Sequence, residues 1–125
     1  MRALRKTGKP TEHQIQSSVV QWAWIMSPVY PELRLLYAIP NGGKRSAVTA
    51  AILKAEGVKA GVPDMHLPVQ RRGYVGLWIE HKVGKKDLTD AQADWMNRLR
   101  LEGHLCVLSR SFEQSRDAIL EYLRR

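Results

Sequence analysis

The sequence predicts an α/β domain, a mixed sheet of about four strands flanked by helices. Three observations lead there. Apolar residues recur at helical spacing in some segments and as short runs in others, in the order helix, strand, helix, strand, strand, helix, strand, helix. Three of the helices open on a Ser or Thr followed three residues later by Gln, the pattern of a capping box. Two apolar runs flank a polar turn and read as a β-hairpin, while the last strand follows a helix and so can lie parallel to its neighbour.

Residues 1–10 carry Arg2, Arg5, Lys6 and Lys9 with Gly8 and Pro10, and read as a basic flexible tail; 11–125 read as a single domain. Thr11 caps the first helix with Gln14 at its third position, and Ile15, Val19, Trp22, Ala23 and Met26 form its apolar stripe. Pro28 and Pro31 end it. Glu12 falls in angle among Val19 and Ala23, so an acid stands on the inward face and needs a partner there. Residues 33–39 read as a near-continuous apolar strand, central in the sheet. The turn Pro40-Asn41-Gly42-Gly43 breaks it, and Lys44 and Arg45 precede Ser46, which caps a helix with Val48, Ala51, Ile52 and Ala55 on one face. A Gly-rich basic turn opening a helix offers free N–H groups to an anion, so this loop is a candidate phosphate contact. It lacks the Walker spacing of a P-loop.

The hairpin spans 61–82. A turn centred on Arg72 sets Asp64 opposite Glu80, with side chains on one face and Cβ atoms roughly 5 Å apart. Lys82, two residues on, shares that face. Pro63 fixes the backbone ahead of Asp64. Opposed carboxylates repel, so a shared proton, Lys82 or a bound cation must offset the cost. His81 points to the other face, leaving only its backbone carbonyl for the site. Residues 83–87 form a basic loop with Lys85 and Lys86. Thr89 and Gln92 make the second capping box, ahead of Trp95, Met96 and Leu99. Gln92 lies on the apolar face and serves equally as a cap or as a site residue. Residues 104–108 form the last strand, and Ser111 with Gln114 a third box before Phe112, Ile119, Leu120 and Leu123. Most of the four Trp residues are expected in the core.

Lys and Arg number 20 against 12 Asp and Glu, a net charge of +8, which favours a polyanionic partner, nucleic acid before membrane. No apolar run approaches the ~20 residues that span a bilayer, and the basic N-terminus has no apolar region after it. Cys106 has no internal partner and is expected as a buried thiol in a reducing, cytoplasmic setting. The histidines make no zinc pattern, and there is no serine elbow.

The arrangement Pro63-Asp64, spacer, Glu80-His81-Lys82 resembles the active-site motif of the PD-(D/E)xK nucleases. With Glu12 and Gln16, Pro40-Asn41-Gly42-Gly43 and Arg45, the run Gly57-Val58-Lys59-Ala60-Gly61-Val62-Pro63-Asp64, Gln92 and Gly103, nearly the whole chain resembles a stand-alone VRR-NUC domain of that superfamily. His81 is larger and more polar than the apolar residue usual at its position. The resemblance implies a restriction-endonuclease-like core and a DNA endonuclease dependent on Mg²⁺ or Mn²⁺. It implies Glu12, Asp64, Glu80 and the His81 carbonyl as metal ligands; Asp64, Glu80, Lys82 and Gln92 as catalytic; and Asn41, Gly42, Gly43, Lys44, Arg45, Lys85 and Lys86 toward DNA. It further implies a homodimer acting on branched DNA such as Holliday junctions. The competing readings are a non-catalytic basic nucleic-acid-binding protein and a small basic structural protein.

Overall fold

The computed structural model describes residues 8–40 and 45–124. Its elements are α1 (Glu12–Met26), a 3₁₀ turn (Pro31–Leu35), β1 (Tyr37–Ala38), α2 (Ala47–Ala55), β2 (Met65–Leu67), β3 (Leu77–His81), α3 (Asp90–Leu101), β4 (Leu105–Ser109) and α4 (Phe112–Leu123). The strands lie in the order β1-β2-β3-β4. The first three run antiparallel, and β4 lies parallel to β3 after the α3 crossover. This is the mixed four-stranded α/β sheet that the periodicities predict.

Capping chemistry starts the helices where the sequence places them. Thr11 with Gln14 and Thr89 with Gln92 both form complete capping boxes. Ser111 caps α4, but its box is half formed: the Gln114 side chain reaches back to the Arg110 N–H at 2.7 Å instead of the Ser111 N–H.

The sheet separates two cores. On one face Met65, Leu67, Leu77 and Ile79 pack with Val19 and Ala23 of α1 and Ile119, Tyr122 and Leu123 of α4. On the other, Trp78 and Cys106 pack against Met96, with Leu99 of α3 beside them. Cys106 is the buried free thiol expected, and burial raises its pKa.

One expectation about an apolar segment is corrected. The 33–39 run is not a central strand: Pro31–Leu35 coils as a 3₁₀ turn, and only Tyr37 and Ala38 pair, on the sheet edge and exposed. Its apolar residues are consumed by different surfaces, Leu33 in the main core and Ile39 against the second. The helix at α2 forms, but its apolar face is uncovered among the described residues, with Val48 69% and Ile52 53% exposed. Leu53, from outside that stripe, is its most sheltered residue. Of the tryptophans, Trp78 is buried, Trp22 and Trp95 are half-buried, and Trp24 stands 78% exposed.

The hairpin register decides which residues share the site. The turn is Arg72-Gly73, both with positive φ (54° and 83°), closed by bonds between Arg71 and Tyr74. Positive φ at both central residues is the primed turn that suits strand twist. The turn therefore sits half a residue later than one centred on Arg72. Carried outward unchanged, it would set Asp64 opposite His81. The strands instead pair Met65 with Ile79 and Leu67 with Leu77. One extra residue in the 68–70 stretch makes the difference. There the Val69 N–H turns back onto the Leu67 carbonyl at 2.9 Å, and the Tyr122 hydroxyl of α4 donates to the Val69 carbonyl at 2.6 Å. This bulge restores the register that places Asp64 opposite Glu80.

Candidate active site

Alternation along β3 sends Trp78, Glu80 and Lys82 to the α3 side of the sheet and His81 to the α1/α4 side. Asp64 joins Glu80 from just ahead of β2. Its position is fixed at three points. Pro63 before it is fully buried, its carbonyl accepts the Ile39 N–H at 2.8 Å, and its Oδ2 accepts the His81 backbone N–H at 2.8 Å. Gly61 lets the approach to Pro63-Asp64 run against α3. Its φ is +92°, and a Cβ there would lie 2.8 Å from the Ala91 carbonyl carbon and oxygen.

Glu80 is 2% exposed. Its Oε2 accepts from the Gln92 Nε2 at 3.2 Å and stands 4.0 Å from the Lys82 Nζ. Its Oε1 is buried without a hydrogen-bond partner. Burial, then the neighbouring Asp64 charge, push the Glu80 pKa up to about 8, against a smaller opposing pull from Lys82. Asp64 is close enough to accept a hydrogen bond from the protonated Glu80. A proton shared between the carboxylates therefore satisfies the pair, and a divalent cation between them would do the same in its place.

Gln92 makes two contacts at once. Its Oε1 accepts the Thr89 N–H at 2.9 Å as the cap of α3, while its Nε2 holds Glu80. Lys82 is buried on the shared face, as alternation requires. Glu12 sits at the rim. Gln16, one turn later on the same face of α1, reaches the His81 ring at 3.3 Å; burial lowers the His81 pKa against smaller opposing pulls from Asp64 and Glu12, and the Glu12 charge adds a little to the upward shift of Glu80. Its carboxylate lies 3.8 Å from the Lys86 Nζ, which is the partner that the inward-facing acid finds here. No trio of His, Cys, Asp or Glu side chains among the described residues is arranged to hold a metal by itself. The carboxylate pair, all hard oxygen donors with one oxygen unpartnered, nevertheless fits a hard divalent ion.

Lys85 and Lys86 lie on an exposed loop, and Arg45 is exposed with its guanidinium on the Pro40 carbonyl. Asn41, Gly42, Gly43 and Lys44 fall outside the described residues. Sequence reasoning missed Arg110, whose Nη1 donates to the Gly84 and Lys86 carbonyls at 3.0 and 2.6 Å and so holds the basic loop in shape. It missed Tyr122 and Ser115 as well. Nothing local marks any of the three, because their partners are distant in sequence.

The VRR-NUC domain model matches residues 4–112. The chain belongs to the VRR-NUC family. It is similar to a solved structure of a VRR-NUC domain protein, with a TM-score of 0.79 and 28% identity over 94% of this chain and 92% of that one. No curated protein matches it. As a VRR-NUC domain the chain is a member of a nuclease family, and its mixed sheet with flanking helices is the α/β nuclease-like fold of its structural neighbour. No helix among the described residues of this VRR-NUC domain is long and apolar enough to cross a membrane.

Proposed function

We propose that this protein is a metal-dependent DNA endonuclease hydrolysing phosphodiester bonds, selective for branched DNA such as Holliday junctions. The observation that carries the catalytic part is the buried, unpartnered Glu80 Oε1 beside Asp64. Lys82 and Gln92 both address the other oxygen, which leaves Oε1 open to a proton or to a cation.

Asp64 and Glu80 would hold Mg²⁺ or Mn²⁺, with Glu12 from the rim and the His81 carbonyl. That carbonyl leaves β3 toward Asp64, because the N–H and C=O of one strand residue point to the same edge. When bound, the ion would polarise the scissile phosphate and lower the pKa of a water. The remaining work belongs to the chain. The His81 N–H keeps Asp64 aimed at Glu80, and Gln92 fixes the Glu80 rotamer. Lys82, held out of solvent, presents an ammonium to the attacking water and to charge developing on phosphate. Arg45, Lys85 and Lys86 would meet backbone phosphates around the site, together with the 41–44 turn.

A homodimer suits a two-fold junction, and the uncovered Val48 and Ile52 face of α2 offers it an apolar surface. The test is cleavage by the purified protein of junction, flap, duplex and single-stranded DNA, with Mg²⁺, Mn²⁺ or chelator. Metal-dependent cutting that favours the junction is expected. Binding without cutting in any metal would leave the non-catalytic nucleic-acid-binding reading standing.

A further inference from the structure

His81 separates Glu80 from Lys82, and its imidazole is fully buried on the face away from them. It belongs to a polar chain crossing four elements. Nδ1 lies 3.3 Å from the Gln16 Oε1 of α1, and Nε2 lies 2.9 Å from the Ser115 Oγ of α4. The Ser115 Oγ is 2.6 Å from the Ser109 Oγ at the end of β4, and Ser109 donates to the Ser111 carbonyl at 2.9 Å.

The direction of this chain follows from counting protons. A hydroxyl has one proton to donate. Ser109 gives its proton to the Ser111 carbonyl, so toward Ser115 it only accepts. Ser115 therefore gives its proton to Ser109 and only accepts from His81. Nε2 must carry a proton. In the neutral ring Nδ1, 4.0 Å from the Asp64 Oδ2, is then a lone pair. The Gln16 carboxamide meets it with its NH₂ once turned about its last torsion, a rotation that leaves its shape unchanged.

The ring is thus held at both nitrogens, and the main chain that carries it donates to Asp64. We infer that Gln16, His81, Ser115 and Ser109 are positioning residues: their one-way hydrogen-bond chain fixes the His81 backbone, whose N–H aims the Asp64 carboxylate at Glu80. An apolar residue at position 81 would be held by shape alone. Histidine there requires the serines, so His81 and Ser115 act as one unit. The catalytic consequence rests on the nuclease reading; the geometry does not.

Ser115→Ala tests it by leaving the Nε2 proton buried without an acceptor. In the metal-free wild type, ¹⁵N NMR should show His81 protonated at Nε2, with its backbone amide proton displaced downfield by the carboxylate. In Ser115→Ala that amide should move toward an ordinary position. Single-turnover cleavage at saturating Mn²⁺ should fall about tenfold or more with DNA affinity unchanged, the usual scale for removing a supporting hydrogen bond. The double variant His81→Leu/Ser115→Ala, which removes both partners, should recover rate over the single one. Gln16→Leu, at the half-exposed end of the chain, gives a second perturbation should Ser115→Ala fold poorly, and it too should move the His81 amide. A wild-type ring protonated at Nδ1 alone, an amide that neither variant moves, or a double variant no faster than the single would overturn the inference. If the wild type cuts no DNA, the nuclease reading fails, and the ring and amide resonances still decide the relay.

Discussion

Replacing Glu80 with Gln should make the metal-free protein more stable in alkali while removing its response to metal. Glu80 keeps its proton up to about pH 8 in the fold, against an ordinary value of 4.5. Between those values the folded state binds a proton that the unfolded state has released. The stabilisation is therefore whole below about pH 4.5 and is lost as pH rises through about 8. Each pH unit in that window is worth about 1.4 kcal/mol, so the wild type should lose roughly 4 kcal/mol from this group between about pH 5 and pH 8. That is a large share of the ~5–15 kcal/mol that holds a domain together. Gln has nothing to titrate, and its NH₂ can donate to Asp64. Buried His81 works in the opposite direction: stability from its lowered pKa is whole above the ordinary histidine value of 6.5 and is lost as pH falls below it through the lowered folded value. Glu80 is not among the causes of that shift, so it cancels in the comparison. Urea denaturation of both proteins in chelator, from about pH 5 to pH 9, should show curves that diverge upward in pH, with Glu80→Gln the more stable by roughly 2–4 kcal/mol at the alkaline end. Added Mn²⁺ should then raise the wild type and not the variant. Parallel curves would refute the buried-proton argument, and an equal rise with Mn²⁺ would remove Glu80 from the metal site.

Asp64→Ala should abolish cleavage and keep DNA binding, measured by gel shift beside the cleavage assay; normal cutting would dismiss the carboxylate pair. Lys82→Ala should slow the single-turnover chemical step with metal affinity nearly intact, whereas a metal-affinity loss at unchanged saturated rate would reverse its role. Tyr122→Phe removes the hydroxyl that pins the register-setting bulge and should cost about 1–3 kcal/mol in denaturant melts, leaving the Val69 carbonyl short of a partner; a cost near zero would mean the bulge holds itself. Lys85→Ala and Lys86→Ala should each flatten the dependence of log affinity on log salt by about one unit, and slopes unchanged from wild type would take that loop off the DNA.

The sequence by itself determined the parts of this protein that short-range chemistry controls. Thr11, Thr89 and Ser111 start their helices because each cap bonds a backbone N–H three residues on. Strand alternation alone puts Glu80 and Lys82 on one face and His81 on the other. The family was legible for the same reason: its motifs are short strings at short spacing. Tertiary structure decided the rest. The 33–39 run became a turn and an edge because its side chains were claimed by different packing surfaces. The α2 stripe stayed uncovered because no described part of the chain reaches it. Asp64 faces Glu80 through a bulge that α4 pins from far along the chain, since one extra residue in a strand moves every side chain to the other face. The single Gln92 carboxamide serves both a cap three residues away and a carboxylate on another element, which neither segment announces alone. The His81 relay joins α1, β3, α4 and β4, and the direction of its protons exists only once those four elements meet.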